Sequence, residues 1–486
     1  MNMQEIFDIV IRHAEIIDGT AAPRFDGDIG IKGDRIAKIG DLSGATGRQE
    51  IDARGLVVSP GFIDAHTHDD RAMLSEGDMV PKVSQGVTTV IGGNCGISLA
   101  PMTQAAPTAV TPPLDLLDRT GDWFRYQRFG DYLDDLRANP ASTNCAMLVG
   151  HSTLRVTTMD DLKREATDAE IEAMRNYVSE ALESGAIGVS TGLAYPTARA
   201  ATTEEIIEVC RPLTQYNGLY CTHMRDEGDD IMASLEETFR VGRELKVPVV
   251  ISHHKLTGVK NHGRSVQTLE RISQAMKQQP VCLDCYPYTA SSTILNYEHA
   301  SGASRTIVTW SRTMPQYVGW DLDAVARELG CSIKEAVQRL VPAGALYFRM
   351  DDADVQRILQ FDETMIGSDG LPHDEMPHPR LWGTFPRVLG HYGRSLGLFS
   401  LEKAIHKMSG LTATRFGLAN RGVIREGAYA DIAIFDAQTV SDQATFEKPV
   451  VPSLGIDTVL VNGVVVWKDG KHSGSRPGRV LRREAV

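Results

Sequence analysis

The residues best suited to chemistry are His66 and His68, within residues 59–70, SPGFIDAHTHDD. Side chains alternate faces along an extended chain, so two histidines one residue apart point the same way. Such a pair suits zinc or a similar divalent ion. The bland alternative is two surface histidines beside a solvated acidic pair. More metal-capable groups occur further along: Cys95 in Gly92-Gly93-Asn94-Cys95-Gly96, then His223, His253-His254-Lys255 and Asp369. Cys95 as thiolate with His223 and His253 makes a soft three-ligand set that favours one tightly bound Zn²⁺ and leaves a position for water. His66, His68 and Asp369 make a weaker second set, open to partial occupancy. Zinc lowers the pKa of bound water to roughly 7. Asp369 is then the general base, and later the acid, in hydrolysis of an amide or similar bond. Adjacent strand residues face opposite sides, so only one of His253 and His254 faces the pocket, and His253 is taken. His151 reaches the same rim, where hydrogen bonding to a substrate carbonyl and a structural role are equally open.

Each of these groups closes or follows an extended apolar run. Candidate strands span residues 61–66, 88–92, 145–150, 187–190, 219–223, 249–253, 282–286 and 365–369. Helical patterns lie between most of them. The clearest covers 168–184, with Thr167 and Glu170 as a capping box and Gly185 as a stop. Its stripe of Ile171, Met174, Val178 and Leu182 reads as core packing. Eight such units predict a (β/α)₈ barrel over 59–415, with the functional groups gathered on its C-terminal rim. Residues 287–364 are too long for an ordinary crossover. They are expected to form an insertion, with a helix over 321–339, that covers the site as a lid. Residues 1–58 and 416–486 read as short strands and tight turns, so a small β-sandwich domain built from both termini is expected. Asn462-Gly463 between two valine-rich runs signals a type I′ hairpin.

A substrate receptor lies among the same strand ends. Lys255, Tyr286, Tyr288, Ser291, Ser292 and Arg380 all follow them, and arginine with tyrosine and serine makes a bidentate receptor for a carboxylate. Cys282-Leu283-Asp284-Cys285 spells C-x-x-C, but within a strand its cysteines face opposite sides, which argues against a redox or zinc role. No nucleotide-binding fingerprint is present. A formal charge of −13 over 486 residues argues against nucleic acid as a partner. No apolar run approaches membrane-spanning length, and the first twenty residues carry acids where a signal peptide needs a basic region. Seven scattered cysteines imply no disulfide framework, so a cytoplasmic location is expected.

SPGFIDAHTHDD, PKVSQGVTTVIGGNCG, STGLAYP, SHHK, YPYTASSTIL and IGSDGLPHDEMPHPRLWGTFPRVLGHY resemble the N-acyl-D-amino-acid deacylases of the amidohydrolase superfamily, over essentially the whole chain. The paired histidines mark the superfamily; the cysteine after strand two and the SDGLPHD…HPR run mark the branch. The resemblance implies zinc held by Cys95, His223 and His253, a weaker position at His66, His68 and Asp369, and Asp369 as base and acid. It implies that Lys255, Tyr286, Ser292 and Arg380 hold the substrate carboxylate and that Tyr195 lies near the carbonyl or pocket wall. The D configuration rests on the resemblance alone, as does the preference for neutral side chains. N-acyl-D-aspartate or N-acyl-D-glutamate is the alternative substrate; it calls for another basic residue, for which Arg305 is a candidate. A cyclic amidase of hydantoinase or dihydroorotase type would carry a carboxylated lysine at the end of strand four, where this chain has Val189-Ser190-Thr191-Gly192.

Overall fold

The computed structural model describes residues 6–102 and 110–484. The first five residues of the expected N-terminal β segment, and the final two residues of the chain, lie outside that range. Eight parallel strands pair in chain order: Phe62–Asp64, Val87–Gly92, Asn144–Gly150, Gly188–Gly192, Leu219–His223, Val249–Ile251, Val281–Cys285 and Thr364–Ile366. Strands one and eight complete the ring beyond their ladder, where Ala65 N donates to Ile366 O at 3.1 Å and Asp369 N to His66 O at 2.7 Å. Alternate residues such as Ile63, Ile91, Leu148, Val250 and Met365 fill the lumen. The intervening helices cover the outside. Asp168–Ser184 has the expected capping box at Thr167 and Glu170, and buries Met174, Val178 and Leu182.

Strands one, six and eight stop short of the predicted 61–66, 249–253 and 365–369. At the rim three non-glycine residues take left-handed backbone: Cys95 after strand two at φ 54°, His253 after strand six at φ 35° and Asp369 after strand eight at φ 50°. Each costs about 1–3 kcal/mol and turns the chain sharply at the rim. His253 therefore faces the pocket because the chain turns there, not because of strand alternation. Its neighbour His254 is buried with Nε2 at 2.9 Å from Thr268 Oγ1. The alternation argument does hold for the two cysteines of strand seven. Cys282 joins the lumen cluster, whereas Cys285 packs outward against the helices.

Between strands seven and eight stands a three-stranded antiparallel sheet, Ala290–Ile294, Arg305–Ser311 and the central Ala343–Phe348. The single helix expected over 321–339 is two, Leu322–Glu328 and Ile333–Leu340. Gly330 at φ 61° breaks the first, and a Ser332–Glu335 capping box starts the second. The helix Asp352–Gln360 leads into strand eight and buries Val355, Ile358 and Leu359 in the main core. It is the ordinary crossover helix, so the segment that stands off the barrel lies within 287–350.

The two termini share one nine-stranded sheet. Ile432–Phe435 runs antiparallel to Val57–Pro60, which runs parallel to the end of Ile6–Ile16. Ile9 and Ile11 face its core, and after a bulge at His13 the parity changes so that Ala14 and Ile16 do so. The hairpin at Asn462-Gly463 has positive φ at both central residues, 49° and 77°, as a type I′ turn requires.

Candidate metal centre

Six side chains converge beside a cavity of about 820 Å³, with His68, His223, His253 and Asp369 in its wall and His66 and Cys95 behind them. Cys95 is carried on a loop after strand two that packs directly on its neighbours. A Cβ at Gly93 would sit 1.9 Å from Leu148 O, and one at Gly192 would sit 2.1 Å from Cys95 O. Only glycine permits that approach. Ser190 binds the same loop: its Oγ accepts from Gly96 N at 2.9 Å and donates to Gly93 O. Cys95 Sγ lies 3.2 Å from His253 Nε2 and 3.3 Å from His66 Nε2. His253 Nε2 is 3.0 Å from His223 Nδ1. Asp369 Oδ1 lies 3.2 Å from His68 Nε2 and 3.6 Å from His66 Nε2, while Arg380 Nη1 approaches Asp369 Oδ2 at 2.9 Å. Two donor groups result, Cys95–His223–His253 and His66–His68–Cys95–Asp369, which share the thiol.

The charge states suit a cation. Burial opposes ionisation of Cys95, yet His253 and His66 hold its thiol well below the usual range. Burial likewise opposes Asp369, but Arg380 and His68 keep its carboxyl well below ordinary values. Burial would lower His66, but Asp284 and the Cys95 thiolate raise it well above normal, and Asp369 and Cys95 carry His68 up to about 9 against the same penalty. Thiolate and carboxylate are thus anionic and balanced by protons on imidazoles. A divalent ion replaces those protons on the same atoms, so the donor set fits zinc.

The groups behind the ligands were not read from the sequence. Glu227 Oε1 lies 3.0 Å from His253 Nδ1 and accepts from Lys255 Nζ at 2.6 Å. Asp284 Oδ1 accepts from His253 N at 2.9 Å, and Oδ2 lies 3.4 Å from His66 Nδ1. Lys82 is wholly buried and donates to Asp64, Thr67 and Ser368 at 2.7–2.9 Å, with Asp69 at 3.1 Å. The available signal was a charged residue inside an apolar run, as in Val281–Cys285 (VCLDC) and Phe62–Asp64 (FID), because a charge buried there needs a partner.

The expected receptor residues mostly assemble around one ring. Tyr286 has Lys255 Nζ 5.7 Å from its centroid and Arg380 4.6 Å from it. Arg380 Nη2 donates to Ser292 O at 3.4 Å, and Ser292 Oγ is buried without a hydrogen-bond partner. Tyr195 lies with its ring 4.9 Å from His223 and its hydroxyl 3.2 Å from Thr293 Oγ1. His151 is not brought into the pocket. It opens a helix at the end of strand three and turns to Glu205 Oε1 at 3.3 Å, beside the buried Arg155–Glu205 pair. Arg305 is also elsewhere: it pairs with Asp321 at 2.6 Å on the exposed side of the insertion.

Comparison with known proteins agrees with this geometry. The amidohydrolase family profile matches residues 49–365 and 336–467. The chain is 60% identical over 480 residues to D-aminoacylase of Alcaligenes xylosoxydans xylosoxydans, covering 99% of this chain and 98% of that one. It is similar to a D-aminoacylase structure described by its binuclear metal centre, with one-metal activation and second-metal attenuation; TM-score is 0.95 and identity 58%, over 98% of this chain and 100% of that one. It is similar too to N-acyl-D-glutamate deacylase of Bordetella bronchiseptica, solved with zinc and a phosphonate mimic of the tetrahedral intermediate, at TM-score 0.94 and 44% identity over 98% and 100% of the two chains. On the barrel, the paired histidines at strand one and a profile match spanning most of its length, the chain belongs to the amidohydrolase family.

Proposed function

We propose that the protein hydrolyses N-acyl-D-amino acids with neutral side chains to a D-amino acid and a carboxylate. The observation that carries this reading is the convergence of Cys95, His223, His253 and Asp369 beside the Tyr286–Ser292–Arg380 cluster, at a cavity lined by His223, His253, Asp369, Tyr286 and Ser292. The 60% identity to D-aminoacylase supports the D configuration and the neutral preference. Cys95, His223 and His253 would hold one zinc tightly, and His66, His68 and Asp369 a second ion more weakly. Zinc bound there supplies acidity to a water molecule and polarises a carbonyl.

The chain's own residues do the rest. Asp369 is anionic, with Oδ2 engaged by Arg380 and Oδ1 turned to His66 and His68. Its carboxylate accepts the proton of the attacking water and returns it to the leaving nitrogen. Arg380, Tyr286 and Ser292 hold the substrate carboxylate, and the unpartnered Ser292 Oγ supplies one donor. Lys255 reaches the same group once it leaves His253 Nδ1, which it now approaches at 2.7 Å. Tyr195 stands at the carbonyl side of His223. The insertion shields the pocket from water as a lid, since its strand Ala290–Ile294 carries Ser292 and Thr293 in the cavity wall.

A cyclic-amidase reading is disfavoured by strand four, Gly188–Gly192, which carries no lysine and whose Ser190 is spent on the Cys95 loop. The unpaired thiols of all seven cysteines support a reducing, cytoplasmic setting, and among the described residues no helix is long and apolar enough to cross a membrane. The test is an assay of zinc-loaded protein on N-acetyl-D-methionine, N-acetyl-L-methionine and hydantoin. Release of acetate and D-methionine from the first alone is expected. Turnover of hydantoin without the first would replace this reading by the cyclic one.

A further inference from the structure

The cavity wall carries a cation that these roles leave unused. Arg349 follows the insertion's central strand Ala343–Phe348 and is half-buried at the cavity. Its Nε donates to Ser291 Oγ at 3.1 Å, and its guanidinium carbon lies 5.5 Å from the Tyr347 ring centroid. Its carbonyl accepts from Gly258 N at 2.9 Å, which ties this end of the insertion to the loop after strand six. Among the described residues no carboxylate pairs with it. Most other basic groups around the cavity do have such partners: Lys255 has Glu227, Arg225 has Glu237 and Lys260 has Asp229, whereas Lys334 is solvent-exposed and lies over the Tyr297 ring at 6.0 Å.

Arg349 also has a counterpart. Arg380 is anchored on the carbonyl of Ser292, and Arg349 on the hydroxyl of the preceding residue, Ser291. Two guanidinium groups are thus tethered to consecutive residues of one strand, whose Cα atoms are about 3.8 Å apart. The first serves the substrate's α-carboxylate. The second keeps both Nη groups for a ligand, because only Nε is spent on Ser291. A guanidinium fork with no counter-ion in a concave wall matches a carboxylate bidentately. The cavity, at about 820 Å³, has the volume for a substrate longer than N-acetylmethionine.

We propose that Arg349, anchored on Ser291, is a receptor for a second carboxylate on the substrate, so that dicarboxylate N-acyl-D-amino acids are accepted alongside neutral ones. This rests on the deacylase reading. The second carboxylate can come from an acidic D side chain or from the far end of the acyl group, and the two sources are separable.

The experiment compares kcat/KM of wild type, Arg349→Met and Arg349→Lys on N-acetyl-D-methionine, N-acetyl-D-glutamate and N-succinyl-D-methionine. A dianion that is not turned over is scored as a competitive inhibitor of N-acetyl-D-methionine hydrolysis. Loss of a charge-assisted pair lowers the dianion-to-monoanion ratio about tenfold or more in Arg349→Met, with partial recovery in Arg349→Lys. A fall confined to the glutamate substrate assigns the subsite to the side chain, and one confined to the succinyl substrate assigns it to the acyl arm. An equal loss on all three substrates overturns the proposal, as does a wild type that neither hydrolyses nor is inhibited by either dianion. Failure of wild type on N-acetyl-D-methionine itself instead overturns the deacylase reading, and this inference with it.

Discussion

His253 is approached at Nδ1 by two groups of opposite kind, Glu227 Oε1 at 3.0 Å and Lys255 Nζ at 2.7 Å. A neutral imidazole that ligates through Nε2 carries its proton on Nδ1, and only the carboxylate can accept that proton. Glu227 therefore sets the ligating tautomer and holds Lys255 near the substrate receptor. Glu227→Ala is expected to weaken zinc binding about 10–100-fold, measured by competition with a chelator, with Glu227→Gln intermediate because its amide oxygen still accepts. Unchanged zinc affinity in both would show that Glu227 does not orient the ligand. Asp369→Asn tests the proton carrier. Turnover of N-acetyl-D-methionine should fall about 10²–10⁴-fold while the tight zinc proposed at Cys95, His223 and His253 is retained. A near wild-type rate would remove Asp369 from that role. Cys95→Ala should lose the tight zinc, and full retention would exclude the thiolate as a ligand.

At the scale of elements, the barrel was legible because each strand is a short apolar run closed by a polar residue, and the capping box of Asp168–Ser184 is a local signal. The ends of strands one, six and eight were not legible. Strands six and eight give way to left-handed turns at His253 and Asp369, as the loop after strand two does at Cys95, residue types for which sequence carries no such mark, and long-range contacts hold those turns. His151 shows the same limit, since its partner Glu205 is 54 residues away. Among those long-range contacts, Lys82 bonds Asp64, Thr67 and Ser368 and so ties the segment bearing His66 and His68 to the one bearing Asp369. Lys82→Met leaves Asp64 and Asp69 buried without their cation, and should destabilise the protein by about 3–5 kcal/mol in urea unfolding. A shift under about 1 kcal/mol would show that the charges are satisfied otherwise. The loops after strands two and eight share a pH dependence. Burial pushes Asp115 up to about 7 and Asp374 up to about 6, from an ordinary 3.8. Between about pH 4 and pH 7 the fold binds more protons here than the unfolded chain, so these groups' stability contribution falls as pH rises through that window. The double substitution Asp115→Asn and Asp374→Asn should flatten the melting temperature against pH there; an unaltered slope would count against the assignment.

For the molecule as a whole, the termini do more than build a side domain. A small β domain drawn from both ends was legible from their matching β character, whereas the pairing of Ile432–Phe435 with Val57–Pro60 was not. The course of the C-terminal tail beyond the last hairpin was not, because that segment has no strand or helix periodicity. Residues 479–484 run beneath the barrel, at the end opposite the metal centre. Cys145 N donates to Arg479 O at 2.9 Å, Leu481 N to Cys145 O at 2.7 Å, and Glu484 N to Gly417 O at 3.0 Å. Leu481 packs on the lumen cluster, which includes Cys221, Cys282 and Phe416. The tail therefore plugs the barrel floor, and floor and rim are separable functions of the same strands. Deleting residues 479–486 removes three bonds between backbone groups, the bond from Arg479 N to Asn144, the Arg479–Asp34 ion pair, the side-chain hydrogen bonds of Arg482 and Arg483 and one apolar contact, about 3 kcal/mol or more in all. The expected result is a lower midpoint of urea unfolding, with zinc content and kcat at 25 °C unchanged, since none of the described residues 479–484 lines the cavity. An unshifted midpoint would mean that the tail is an ornament of the fold. A loss of zinc along with stability would mean instead that the barrel transmits disorder from its floor to the turns at Cys95 and His253.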